Sequence, residues 1–80
     1  MRRVDPGEMN DPAFWRARVG EKVTMRLHNR GDDPDPFTDA VGVIRSVEPG
    51  EAGDAVVTIL TRRGKARRGR VSDILAAKLL

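Results

Sequence analysis

Glu21-Lys22-Val23-Thr24-Met25-Arg26-Leu27-His28 is the stretch that decides the fold class. Val23, Met25 and Leu27 alternate with Lys22, Thr24, Arg26 and His28. A period of two gives a strand one apolar face and one wet face, the pattern of a half-buried β-strand. Working outward, Asn29-Arg30-Gly31-Asp32-Asp33-Pro34-Asp35-Pro36 reads as a long acidic turn. Its Asn, Gly, Asp and Pro residues favour turn geometry, and proline withdraws a donor from any ladder. A second strand is predicted over residues 38–48. Its apolar side chains fall on both parities, Ala40 and Ile44 against Val41, Val43 and Val47. Gly42 interrupts it and predicts a bulge or sharp bend that lets one long strand serve two sides of a small barrel.

Beyond the turn at residues 49–53, a third strand is predicted over 54–61. Arg62-Arg63-Gly64-Lys65 forms the tight connection to a fourth strand over 65–71. Ala66 and Val71 are the only apolar members of that fourth strand, which therefore reads as an edge blunted by charge. Ser72 and Asp73 read as a cap for a short helical turn through Ile74, Leu75 and Ala77. Lys78-Leu79-Leu80 reads as a closing strand or a frayed end. Upstream, Asp11 is a helix N-cap, Pro12 suits the first helical position, and Gly20 is the stop. So short a helix must dock to persist, through Phe14 or Trp15. Residues 1–10 show no periodicity and read as a flexible lead-in, leaving 11–80 as a single domain.

Four or five short strands separated by Gly/Pro turns predict an all-β domain, closed or nearly closed. A small SH3-like β-barrel fits best, with a short N-terminal helix and a short helical turn near the C-terminus. Eighty residues sit near the size at which one core suffices, so modest stability is expected.

Charge separates the chain into two parts. Residues 1–54 hold 8 basic and 11 acidic side chains, whereas 55–80 hold 7 basic and 1 acidic. Balances of −3 and +6 produce the net +3, and the resulting dipole favours an acidic partner at one end. Six of the seven cations of residues 55–80 lie in residues 62–70: Arg62, Arg63, Lys65, Arg67, Arg68 and Arg70. Because this run lies between two apolar segments, it belongs to a folded hairpin. It is the candidate binding surface, and the six cations are its candidate residues. Alternate strand residues face opposite ways, so at most three or four of them can meet one ligand backbone together.

Other chemistry finds little support. There is no cysteine or tyrosine, and His28 is the only histidine. Ser46, Ser72 and the threonines show no spacing that pairs them with His28 or a carboxylate as nucleophile and base. Asp32, Asp33, Asp35 and Asp39 lack the Asp-x-Asp-x-Asp-Gly loop and distal Glu of a calcium site, and read as solvated turn acids. No catalytic residue, metal or cofactor is assigned. Arg2 and Arg3 are followed by Asp5, Pro6 and Gly7, not by an apolar signal core, and no apolar run is long enough for a membrane span. A soluble, cytoplasmic protein without membrane contact is expected.

Thr38-Asp39-Ala40-Val41-Gly42-Val43-Ile44, then Val57-Thr58-Ile59-Leu60-Thr61-Arg62-Arg63-Gly64, then Ser72-Asp73-Ile74-Leu75-Ala76-Ala77-Lys78 follow one another in an order with a known parallel. Over residues 19–79 the chain resembles the small SH3-like domain at the N-terminus of certain actinobacterial GNAT N-acetyltransferases, and its freestanding relatives. The resemblance implies a barrel with an accessory role and no acetyl-transfer chemistry. Consistent with that, the superfamily's pyrophosphate-binding pattern Gln/Arg-x-x-Gly-x-Gly/Ala is missing, since Thr61 and Ala66 stand three residues before Gly64 and Gly69. The chain also ends where an acetyltransferase domain would begin. Arg68 and Arg70 depart from the family's less basic strand.

The expectation is a noncatalytic accessory module, more readily monomer than homodimer, that binds an acidic protein surface through the basic hairpin. An acetyltransferase is one such partner. The alternative is weak, phosphate-directed nucleic-acid binding. Aromatics are nearly absent and none is interleaved with the cations, so stacking on bases has little to work with. A proline-rich ligand would likewise need a cluster of aromatics.

Overall fold

The computed structural model describes residues 1–29, 31 and 33–80. Arg30 and Asp32, both within the predicted acidic turn, lie outside the described residues. Six strands make up one antiparallel sheet: β1 (Arg2–Arg3), β2 (Lys22–His28), β3 (Phe37–Glu48), β4 (Val56–Thr61), β5 (Ala66–Arg70) and β6 (Ile74–Leu79). Their order is β1-β6-β2-β3-β4-β5, with two short helices, α1 (Pro6–Met9) and α2 (Pro12–Arg16), between β1 and β2. This is a small all-β domain. Among the described residues, no helix is long and apolar enough to cross a membrane.

The core follows the parity read from β2. Val23, Met25 and Leu27 are buried and meet Ala40 and Ile44 of β3, Val57 and Ile59 of β4, and Ile74 and Ala77 of β6. Each Val, Leu, Ile or Met among them contributes roughly 1.5–3 kcal/mol when fully buried, the two alanines less. Trp15 of α2 is completely buried and donates its indole N–H to the Met9 carbonyl at 3.0 Å. Phe14 packs on it edge-to-face with ring centroids 5.0 Å apart. As predicted, Asp11 caps α2, accepting from the Ala13 N–H at 3.0 Å.

β3 is the pivot. It pairs with β2 through residues 37–43 and with β4 through residues 42–48, so only its middle is shared. Gly42 lies at the crossover. A Cβ there would fall 2.2 Å from the Leu60 carbonyl oxygen. Gly42 thus serves close backbone approach, and the predicted bulge lies elsewhere. The register slips between Ile44 and Ser46, leaving Arg45 as the extra residue. That slip explains the mixed parity of β3: Ala40 and Ile44 face the core before it, and Val47 packs on the core after it. Val41 and Val43 stay on the outer face, exposed.

A second bulge corrects the C-terminal expectation. The helical turn is a 3₁₀ turn over Val71–Asp73, and Ile74, Leu75 and Ala77 belong to β6. Leu27 pairs with Ile74 and Arg26 with Ala76, which leaves Leu75 unpaired and half-exposed. One extra residue in a strand turns a period of two into an i, i+3 spacing, which imitates a helix in the sequence. Ser72 does not cap a helix. Its hydroxyl donates to Asp54 Oδ2 at 2.5 Å and its N–H to Oδ1 at 3.2 Å, tying the 3₁₀ turn to the approach to β4.

Two further expectations are corrected. Residues 1–10 are not a loose lead-in: β1 pairs with β6, the Val4 N–H donates to Ala77 O, and Val4 and Met9 are buried. Arg2 clasps Glu8 with contacts of 2.7 and 2.6 Å, and Glu8 also accepts from the Asp5 N–H. These hydrogen bonds hold the Glu8 carboxyl below its usual range. With only two apolar anchors, the segment has no period to read. The barrel, in turn, is not closed, and among the described residues the strands number six. β1 and β5 are the two ends of the sheet and do not pair. The charges of Arg67, Arg68 and Arg70 stay in water and blunt β5. The sheet curls until Gly69 of β5 meets the Leu27 side chain of β2, where a Cβ would lie 2.7 Å from Cδ2.

Removing residues 1–10 should lower the urea midpoint and shift the emission of Trp15, the chain's single tryptophan, to the red. An unchanged midpoint would return this segment to a peripheral role. Gly42→Ala forces the β3–β4 backbones apart and should cost about 1–3 kcal/mol or more, read from chemical denaturation.

Candidate binding surface

The hairpin between β4 and β5 is fixed by its own backbone. Thr61 N–H donates to Lys65 O at 2.8 Å, Gly64 N–H to Thr61 O at 2.9 Å, and Lys65 N–H to Thr61 Oγ1 at 3.1 Å. Gly64 supplies the positive φ of +82° that the turn requires. Arg62 and Arg63 therefore project from an ordered turn. In the ladder, Arg67 opposes Ile59 and Gly69 opposes Val57, both core residues. Arg67 and Gly69 thus share the inner parity, whereas Ala66, Arg68 and Arg70 share the outer one.

The six predicted cations line two overlapping grooves, and these do not follow the parity. Arg62, Arg63, Lys65 and Arg67 line one bank of a groove of about 440 Å³, with Asp39 and Val41 on the other. Arg67, Arg68 and Arg70 line a second groove of about 330 Å³, facing His28, Asn29 and Asp73. Arg67 borders both. Among the described residues, no Phe or Trp lines either groove, and His28 is the one ring in the second.

Nearby acids neutralise little of this charge. Arg68 approaches Glu48 at 3.9 Å with both side chains well exposed, a contact of small energetic weight. Among the described residues, Arg62, Arg63, Lys65, Arg67 and Arg70 form no ion pair. Asp39 is turned away from the hairpin cations in its charge pairing: Arg26 holds it from β2, Nε at 2.9 Å and Nη2 at 3.3 Å. The hydrogen bond from Arg26 lowers the Asp39 pKa and raises that of Arg26. The Arg26 guanidinium also lies 4.2 Å from the Phe37 ring centroid.

The remaining sequence candidates are scattered. Asp33 accepts from the Asp35 N–H at 3.0 Å in a local Asx turn. Ser46 pairs across the sheet with Thr58, and His28 ends β2 opposite Phe37. The bank formed by Asp39 and Val41 was missed by the sequence reading. The one sequence trace of it is that Val41 and Val43 fall on the parity opposite Ala40 and Ile44 and are exposed on the outer face.

The Asp39 shift has a definite sign. A depressed folded pKa contributes stability that is present above the unfolded pKa and disappears as pH falls through the folded value. NMR titration of Asp39 should give a midpoint below the ordinary aspartate value, and Arg26→Gln should restore it. A midpoint indifferent to Arg26→Gln would refute the pairing.

No family model matches the chain, and searches of curated proteins and solved structures return no match.

Proposed function

We propose that this chain is a noncatalytic accessory module of the SH3-like kind that binds an acidic partner protein through the hairpin at residues 62–70. One observation carries the reading: four cations, Arg62, Arg63, Lys65 and Arg67, line a single groove on an ordered turn, without ion pairs among the described residues. Like charges held together repel one another, the groove's one acid, Asp39, is paired with Arg26, and an acidic ligand relieves that repulsion. The meander β6-β2-β3-β4-β5, curled so that Gly69 meets Leu27, supports the fold part of the reading. An acetyltransferase is the partner suggested by the sequence resemblance.

Protein is favoured over nucleic acid by what the grooves lack. Among the described residues neither groove is lined by Phe or Trp, the second offers only the small His28 ring, and the exposed Phe37 ring is covered on one face by Arg26. Single-strand recognition draws much of its affinity from stacking, roughly 1–3 kcal/mol per base. Phosphate contact alone would be weak and steeply salt-dependent.

The test is fluorescence anisotropy with a labelled polyglutamate peptide and a labelled oligothymidylate, each in low and physiological salt. Glutamate binding that is lost in the triple variant Arg63→Glu, Lys65→Glu, Arg67→Glu, with the fold retained by circular dichroism, is the expected result. Undiminished binding by that variant would overturn the reading. Preferential oligonucleotide binding would replace it with the nucleic-acid alternative. In that case affinity should fall about 20–150-fold for a fourfold rise in salt, as three or four neutralised phosphates require.

A further inference from the structure

The sheet has a third edge besides its two ends, and it lies inside β3. Ile44 N–H donates to Glu21 O, Ile44 O accepts from Gly20 N–H, and Pro36 O accepts from Asn29 N–H. These bonds fix even-numbered backbone groups of β3 toward β2, and the register with β2 is unbroken from Phe37 to Val43. Backbone groups of Phe37, Asp39 and Val41 consequently point the other way. On that side, pairing with β4 begins only at Gly42, because the chain turns away at Thr61 into the hairpin. Among the described residues, Phe37, Asp39 and Val41 have no ladder partner there.

This edge differs from the other two. β5 is guarded by Arg67, Arg68 and Arg70, and β1 is only Arg2–Arg3. The segment from Phe37 to Val41 holds one charge, Asp39, and Arg26 pairs with it. Its outward side chains include Phe37 at 41 % and Val41 at 48 % exposure, uncommonly apolar for an unguarded strand edge. Directly across the groove stand Arg62, Arg63, Lys65 and Arg67.

The geometry points to strand addition: an extended segment of the partner protein, alternating acidic and apolar residues, pairs with the free edge at Phe37, Asp39 and Val41. This rests on the acidic-partner reading above and specifies its mode. Side chains of an added strand alternate between faces. Apolar ones lie beside Phe37 and Val41, and acidic ones meet Arg67 and the turn cations. Main-chain bonds supply affinity and the charges supply selectivity. A second copy of this chain is the poorer occupant, because edge-to-edge pairing of β3 would bring two cationic hairpins together.

The experiment titrates isotope-labelled protein with a synthetic peptide alternating glutamate and valine. Saturation should slow hydrogen exchange at the Asp39 and Val41 amides, together with shifts at Arg62–Arg67. Val41→Pro removes one donor from the free edge and none from the β2 ladder. It should weaken the peptide about tenfold or more while circular dichroism and melting stay native. Unprotected Asp39 and Val41 amides in the saturated wild-type protein would overturn strand addition whether or not the proline variant folds. Wild-type affinity in a folded Val41→Pro, with binding still lost on hairpin charge reversal, would overturn strand addition and leave the acidic-partner reading standing. Failure of the wild-type protein to bind the peptide at all would overturn both.

Discussion

The missing side chain at Gly42 is the constraint on which the rest of the structure depends. Only glycine lets the Leu60 carbonyl come so close that a Cβ would sit 2.2 Å from it. That approach allows one strand to hand over from β2 to β4 within two residues, Gly42 and Val43, which belong to both ladders. The handover curls the sheet around Ile44, Ile59 and Val57. It also leaves the first half of β3 paired on one side only. The enclosed core and the open edge are therefore two results of the same local geometry.

Curvature then continues through the bulges at Arg45 and Leu75. Each adds one residue and flips the parity of the strand beyond it. After Arg45 the flip brings Val47 onto the core, and around Leu75 it brings both Ile74 and Ala77 inward. A flat sheet of this sequence would have to choose between these residues. Two misplaced parities are corrected by two insertions, and the core closes over Trp15 with side chains where backbone pairing stops.

Much of this was legible in the residues. β2 declared itself by strict alternation, α2 by Asp11 and Pro12, and the hairpin by the apolar run before Arg62. Even the edge character of β5 could be read, because charges on both faces of a strand are incompatible with a central position. The features that escaped reading share one cause, the loss of a single period. A bulge at Leu75 turns a strand into an apparent helical turn. Residues 2–9 bury only Val4 and Met9, too few to establish any period, yet the Arg2–Glu8 clasp and the β6 ladder hold them in place. Gly42 was read as a bulge or bend, whereas it serves close approach to Leu60 and the bulge lies at Arg45. The hairpin's six cations could be listed from sequence, but their division into two grooves depends on a register that only the folded chain fixes.

That division bears on why the cations are there at all. Charges on a terminal strand discourage aggregation, and this accounts for Arg67, Arg68 and Arg70 without invoking a ligand. It does not account for Arg62, Arg63 and Lys65. They belong to a turn already closed by its own hydrogen bonds, with no ladder to protect and no fold-stabilising ion pair among the described residues. Turn geometry asks only for glycine at position 64, where φ is +82°. Three exposed cations around that glycine repel one another weakly through water and salt, and no ion pair among the described residues offsets it. Under the proposed acidic-partner reading, the groove these residues share with the free edge of β3 is where that repulsion is relieved.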